Sequence, residues 1–103
     1  MPNFIETVSL DQLPPGKATT VTVLDKEIAL FNVDGVIYAT NDACAHAGAS
    51  LGWGKFEGKV VTCRAHGMAF DVTTGQIVGG ATIRVRTYPA QVESGMILVA
   101  VDD

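Results

Sequence analysis

Two cysteines and two histidines are the only residues of their types in this 103-residue chain, and they form two close pairs. Cys44 lies two residues before His46, and Cys63 lies three residues before His66. Thiolate and imidazole groups bind zinc and iron–sulfur centres. A lone cysteine is more often a small buried side chain, but the pairing of the complete set favours a metal site. We therefore predict four metal ligands, which are Cys44, His46, Cys63 and His66.

The segments around these pairs indicate an all-β chain. β-Branched and alternating residues predict strands at 4–8, 19–24, 27–33, 36–40, 59–63, 68–72, 76–78, 82–88 and 96–101. Asp34-Gly35 predicts a hairpin turn, and Ser9 predicts the N-cap of one helical turn that ends before Pro14. Sustained helical periodicity is absent from the sequence. The flanking strands are therefore expected to form a base beneath the metal site.

Both Cys/His pairs are predicted to lie on loops. Residues 41–58 are rich in glycine and alanine around Leu51, Trp53 and Phe56, a pattern too irregular for a strand, and they carry the first pair. The second pair follows Val60-Val61-Thr62 and precedes Gly67, which places it at a turn between two predicted strands. Two loops that each present a cysteine and a histidine can meet at one point. We predict a metal-binding lobe at about residues 41–80 within a single domain, 1–103.

The identity of the metal is open between zinc and an iron–sulfur cluster. Common zinc sites group cysteine with cysteine and histidine with histidine, often with the histidines on a helix. Here each loop supplies one residue of each type, which is better explained by a binuclear cluster with two cysteines on one iron and two histidines on the other. The zinc alternative corresponds to a different class of protein, a zinc-stabilised interaction module.

Charge and composition argue against several other functions. The net charge of −4 disfavours binding to nucleic acid. The longest apolar run, Met96 to Val101, is far shorter than the roughly 20 residues of a membrane-spanning helix. The N-terminus lacks the pattern of a secretory signal, so we expect a cytoplasmic protein whose cysteines stay reduced. Neither a dinucleotide-binding glycine motif nor a nucleophile–base pair beyond the four predicted ligands is visible, so the sequence does not indicate an enzyme.

At the predicted ligands the chain resembles the Rieske [2Fe-2S] proteins. Cys44-Ala45-His46 together with Cys63-Arg64-Ala65-His66-Gly67 is similar to their two-loop signature. Residues 70–75, and Tyr88-Pro89 with 92–95, resemble the strands that follow. Ala49 and Ala65 stand where the respiratory branch carries a further pair of cysteines, so the chain looks like the Rieske-type ferredoxins of multicomponent aromatic-ring oxygenases.

This resemblance implies a Rieske-like fold, with an antiparallel sandwich or barrel base and a small cluster-binding β lobe. It implies a [2Fe-2S] cofactor bound by Cys44, His46, Cys63 and His66. The implied function is transfer of single electrons from a flavoprotein NAD(P)H ferredoxin reductase to a terminal oxygenase that hydroxylates aromatic compounds. A monomer with no membrane or nucleic-acid partner is expected. A Rieske small subunit of a nitrite-reductase-like complex is the alternative electron-transfer role.

The sequence also predicts the environment of several side chains near the two loops. Three aromatic residues are expected to pack in the core beneath the loops, namely Trp53, Phe56 and Phe70. Three acidic residues are expected to be surface charges, namely Asp42, Glu57 and Asp71. An apolar rim for docking is expected from Ala45, Ala47, Ala65 and Met68. By the resemblance, Met68 and Phe70 also occupy positions where the respiratory branch has hydroxyl groups, which implies a low reduction potential.

Overall fold

The computed structural model describes residues 3–42, 50–64, 67–79 and 83–101. These residues form ten strands and two 3₁₀ turns, the turns being Leu10–Gln12 and Leu51–Trp53. The strands are β1 (Phe4–Ser9), β2 (Ala18–Val23), β3 (Lys26–Val33), β4 (Val36–Asn41), β5 (Lys55–Glu57), β6 (Val60–Thr62), β7 (Ala69–Asp71), β8 (Thr87–Tyr88), β9 (Ala90–Glu93) and β10 (Met96–Ala100). In the described part of the chain, no helix is long and apolar enough to cross a membrane.

The strands form three antiparallel sheets, and the all-β prediction is confirmed. One sheet has the order β1-β10-β9, the second β2-β3-β4-β8, and the third β5-β6-β7. The third sheet lies wholly within the predicted metal-binding lobe, and the other two form its base. Each strand pair is antiparallel.

Strand β3 separates two hydrophobic cores and contributes side chains to both. Because side chains alternate along a strand, Ile28 and Leu30 pack on one face, and Ala29 and Phe31 pack on the other. The first face contacts a core that includes Ile97 and Val99 of β10, and the second contacts a core of the lobe with Leu51, Val61, Cys63 and Phe70. The lobe is therefore fixed to the base through β3.

The predicted turns lie where the sequence indicates. Asp34 and Gly35 have φ angles of 53° and 96°, and Val33 pairs with Val36 across this turn. Such a hairpin turn needs positive φ at both central residues, which Asp-Gly tolerates well. The Ser9 hydroxyl accepts a hydrogen bond from the amide of Asp11 at 3.2 Å, so the predicted N-cap is confirmed as well.

Two strand predictions are wrong in detail. Residues 76–78 and the described part of 82–88 contribute the short strand β8 and two isolated bridges, Phe70–Ile77 and Gln76–Arg84. Residues 78 and 79 form a turn in which Gly79 has a φ of 116°, so 76–78 do not continue as a strand. Conversely, residues 55–57 form β5 inside the segment predicted to be irregular. Three residues are too few to show a period of two.

Candidate metal centre

Two backbone hydrogen bonds connect the beginning of the second predicted ligand loop with its end. The Cys63 amide donates to the Met68 carbonyl at 2.7 Å, and the Gly67 amide donates to the Cys63 carbonyl at 2.9 Å. Gly67 has a φ of 69°, a conformation that glycine adopts without strain. Cys63 has no exposed surface, belongs to the core of the lobe and forms no disulfide with any other described residue. The turn thus places a cysteine at its buried base.

The ends of the first loop are joined by a buried carboxylate. Asp42 is only 8% exposed, and its Oδ1 accepts hydrogen bonds from the Ser50 hydroxyl at 2.9 Å and the Gly52 amide at 2.8 Å. The Asp42 amide in turn donates to the Glu27 carbonyl of β3 at 3.0 Å. The prediction that Asp42 is a surface charge is therefore wrong. This carboxylate holds the two ends of segment 43–49 together and fixes them to the base.

Two glycines allow the 3₁₀ turn Leu51–Trp53 to lie close to its neighbours. A Cβ atom at Gly52 would overlap the Thr20 side chain of β2, and one at Gly54 would overlap the Thr62 carbonyl of β6. The turn is therefore pressed between the base and the strand that leads into Cys63. Leu51, just beyond the first loop, and Cys63, at the start of the second, are both fully buried in one core.

The structure brings together the ends of both predicted ligand loops. Three of the predicted ligands, Cys44, His46 and His66, lie outside the described residues, as do Ala45, Ala47 and Ala65 of the predicted rim. Within the described ranges, no three metal-ligating side chains lie together. Met68, the remaining rim residue, is half-buried and packs against the lobe core.

The three aromatic residues near the loops have different environments. Phe70 is fully buried, and Phe56 is half-buried with its ring centroid 5.0 Å from that of Phe31, so both core predictions are confirmed. Trp53 is 71% exposed, and the prediction that it packs in the core is wrong. Its carbonyl accepts a hydrogen bond from Arg64 Nε, which links the 3₁₀ turn to the second loop.

The other two acidic residues near the loops also differ from each other. Glu57 is exposed and lies 3.8 Å from Lys55, as expected of a surface charge. Asp71 is half-buried, and its Oδ1 accepts hydrogen bonds from the Thr73 amide and hydroxyl at 2.9 and 2.6 Å. Burial acts to raise the pKa of Asp71, but the Thr73 hydrogen bonds and Lys59, 3.4 Å away, outweigh it and lower this pKa below its usual value. Asp71 therefore stabilises the turn after β7.

Comparison with known proteins agrees with this geometry. The family model described as the Rieske [2Fe-2S] domain matches residues 3–89. The ferredoxin component of the naphthalene 1,2-dioxygenase system of Pseudomonas aeruginosa is 37% identical over 97 residues, which is 93% of each chain.

Solved structures show the same fold. The ferredoxin of carbazole 1,9a-dioxygenase from Nocardioides aromaticivorans IC177 is 32% identical with a TM-score of 0.89, covering 97% of this chain and 99% of that one. A ferredoxin-sized chain in a complex of oxygenase and ferredoxin of carbazole 1,9a-dioxygenase is 29% identical with a TM-score of 0.86, covering 94% and 92%. A putative NADH-dependent nitrite reductase small subunit from Mycobacterium tuberculosis is 26% identical with a TM-score of 0.89, covering 100% and 98%.

Proposed function

This chain belongs to the Rieske [2Fe-2S] domain family, and we propose that it is the ferredoxin of an aromatic-ring oxygenase system. In this role it accepts single electrons from a flavoprotein NAD(P)H ferredoxin reductase and delivers them to a terminal oxygenase. It is an electron carrier and not itself the catalyst. The observation that carries the proposal is the 37% identity, over 93% of both chains, to a ferredoxin component of such a system.

The proposal assigns the Rieske cluster to Cys44 and Cys63 on one iron and to His46 and His66 on the other. The bound cluster supplies a one-electron couple. The donor chemistry fits it, because two thiolates and two neutral imidazoles match a Rieske centre. The described surroundings also support it, since Cys63 is buried at a loop base and the 3₁₀ turn after the first loop packs beside it.

The chain's own residues would hold the loops and keep water from the buried side of the site. Asp42 joins the ends of the first loop, and the Cys63–Met68 hydrogen bond closes the second. Leu51 and Phe70 have no exposed surface and pack in the same core as Cys63. The exposed side of the second loop, with Arg64 and Gly67, then faces the solvent from which a partner approaches.

We also propose where the protein works and with which partners. It acts as a monomer in the cytoplasm, as one domain spanning 1–103, with the cluster-binding lobe at about 41–80. Its partners are the reductase and the oxygenase, without a membrane or nucleic acid.

Purification without oxygen, followed by metal and sulfide analysis, tests the cofactor assignment. We expect two irons and two sulfides per chain, and loss of normal cluster incorporation in Cys44→Ser and Cys63→Ser. Thr62→Ser, next to Cys63, is the matched control and should retain the cluster. Stoichiometric zinc without sulfide would instead identify a zinc-stabilised module. Reduction of an oxygenase by NADH through a reductase and this chain tests the carrier role.

A nitrite-reductase-like small subunit is the second candidate function. The fold alone favours this role as strongly as the ferredoxin role, because the nitrite reductase neighbour has the same TM-score, 0.89, as the ferredoxin of carbazole 1,9a-dioxygenase. Its sequence identity of 26% is lower than the 37% shared with the oxygenase ferredoxin component. Affinity purification of the tagged chain from its native cells separates the two: recovery of a nitrite reductase large subunit would replace the oxygenase assignment.

A further inference from the structure

Trp53 is the single tryptophan of the chain, and most of its surface is exposed. One exposed apolar side chain is ordinary on a protein surface and needs no function by itself. Trp53 differs in being held by a rigid backbone. The buried Leu51 precedes it by two residues, the Gly52 amide is bonded to Asp42, and the Gly54 amide donates to the Leu51 carbonyl at 2.9 Å.

This backbone keeps the indole on the outside. The close contacts of Gly52 with Thr20 and of Gly54 with Thr62 fix the turn on both sides. The hydrogen bond from Arg64 Nε to the Trp53 carbonyl adds a third attachment. An aromatic side chain on an already ordered backbone loses little conformational entropy when a partner covers it. Trp53 is therefore preorganised for contact.

The surroundings of Trp53 connect it with both proposed ligand loops. The 3₁₀ turn that carries it begins directly after Ser50, where the first loop ends, and Arg64 directly follows Cys63 in the second. Beside the indole is a cleft of about 90 Å³, lined by Ala18, Thr19, Thr20, Gly52 and Trp53. Trp53 therefore lies next to the described end of each loop.

We propose that Trp53, the adjoining cleft and Arg64 form the surface on which the terminal oxygenase docks; this inference rests on the proposed function. Tryptophan and arginine are the residue types most enriched among energetically dominant interface contacts. Arg64 is an exposed cation on a chain of net charge −4, so the oxygenase surface should offer an apolar pocket for the indole and a carboxylate for Arg64. The oxygenase is the chosen partner because a chain 29% identical to this one is in complex with its oxygenase.

The oxygenase component of the naphthalene 1,2-dioxygenase system is the probe. Labelling the cluster-loaded chain with 5-fluorotryptophan gives one ¹⁹F resonance, because Trp53 is the only tryptophan. We expect the chemical shift of that resonance to change and reach a plateau as the oxygenase is added. The difference in chemical shift between H₂O and D₂O, which reports exposure of the indole to solvent, should disappear in the complex. Trp53→Ala should weaken binding about tenfold or more, while Trp53→Phe retains part of the affinity.

Val36→Ala is the matched control, since Val36 is a 54% exposed apolar residue at the end of β4 remote from Asp42. It should change the affinity less than about twofold. Trp53→Ala and Val36→Ala should both have the cluster spectrum and the reduction potential of the wild type. This result would separate an effect on docking from damage to the cluster site. Arg64→Gln should weaken binding and reduce its salt dependence.

Equal affinities of Trp53→Ala and the wild type, or a ¹⁹F resonance unmoved on binding, would overturn the docking surface while leaving the carrier role intact. A loss confined to the flavoprotein reductase would overturn the choice of partner. Failure of the reduced wild-type chain to transfer electrons to the oxygenase would contradict the proposed function and this surface with it.

Discussion

Cys63 and Met68 face each other across the base of the second ligand loop, with the Cys63 amide 2.7 Å from the Met68 carbonyl. The backbone of Met68 thus closes the loop, while its half-buried side chain packs against the core that contains Cys63. A change confined to the Met68 side chain leaves this hydrogen bond in place. Position 68 therefore allows the polarity near the proposed cluster to be altered without opening the loop.

Met68→Ser should raise the reduction potential. A hydroxyl group that donates toward cluster sulfur stabilises the reduced state, and Met68 has none. Phe70→Tyr should act in the same direction, and the double variant should have the highest potential. Voltammetry on cluster-loaded protein measures the change, with Met68→Leu as the apolar control. Unchanged or lowered potentials in the hydroxyl variants would show that other groups set the reduction potential. For the wild type we expect a potential near the lower end of the Rieske range of roughly −150 to +300 mV.

Removal of the Asp42 carboxylate should destabilise the fold. Asp42→Ala leaves the Ser50 hydroxyl and the Gly52 amide without their acceptor, a loss of about 1–3 kcal/mol in the free energy of unfolding. Asp42→Asn keeps an oxygen at the same place and should lose less. Denaturant unfolding of the cluster-loaded protein is the measurement. Glu57→Ala, at an exposed site, should stay within about 0.5 kcal/mol of the wild type, and a similar loss there would contradict the local explanation.

The turn between β2 and β3 should be open to stabilisation. Leu24 and Asp25 have φ angles of 50° and 67°, a conformation that costs side chains with a Cβ atom about 1 kcal/mol or more. Replacing the pair by Asn-Gly supplies the residues that this hairpin turn prefers. We expect a gain of about 1 kcal/mol in unfolding free energy, with the cluster spectrum unchanged. No gain would mean that Leu24, although exposed, contributes contacts that offset the strain.

Asp71 should make the stability depend on acid pH. Its pKa is lower in the folded chain than in the unfolded one, because the Thr73 and Lys59 interactions outweigh burial. Its stabilising effect is therefore complete above the unfolded-state pKa and is lost as the pH falls through the folded-state pKa. The difference in unfolding free energy between the wild type and Asp71→Asn should shrink over that range. The same comparison with Glu57→Gln is the control, and a constant difference for Asp71→Asn would refute the linkage.

Turns and caps could be predicted from the sequence, because residues adjacent in the chain determine them. Asp34-Gly35 and Ser9 follow local rules of turns and caps, and their structures agree. The environments of Asp42 and Trp53 were predicted incorrectly, because they depend on residues distant in the chain. The donors to Asp42 lie eight and ten residues further on. The outward position of Trp53 follows from contacts of its glycine neighbours with β2 and β6, which no periodicity reveals.

The pairing of β1 with β10 has a consequence for protein engineering. Phe4 and Ala100 are register partners, so the two ends of the described fold leave the base side by side. A short linker could join them, and new termini could be opened at the exposed Asp34-Gly35 turn, which lies at the end of β4 remote from Asp42. Such a circular permutant would keep both ligand loops continuous. Because Phe4 and Ala100 are adjacent, the whole domain could also be inserted into a loop of a host protein without interrupting either ligand loop.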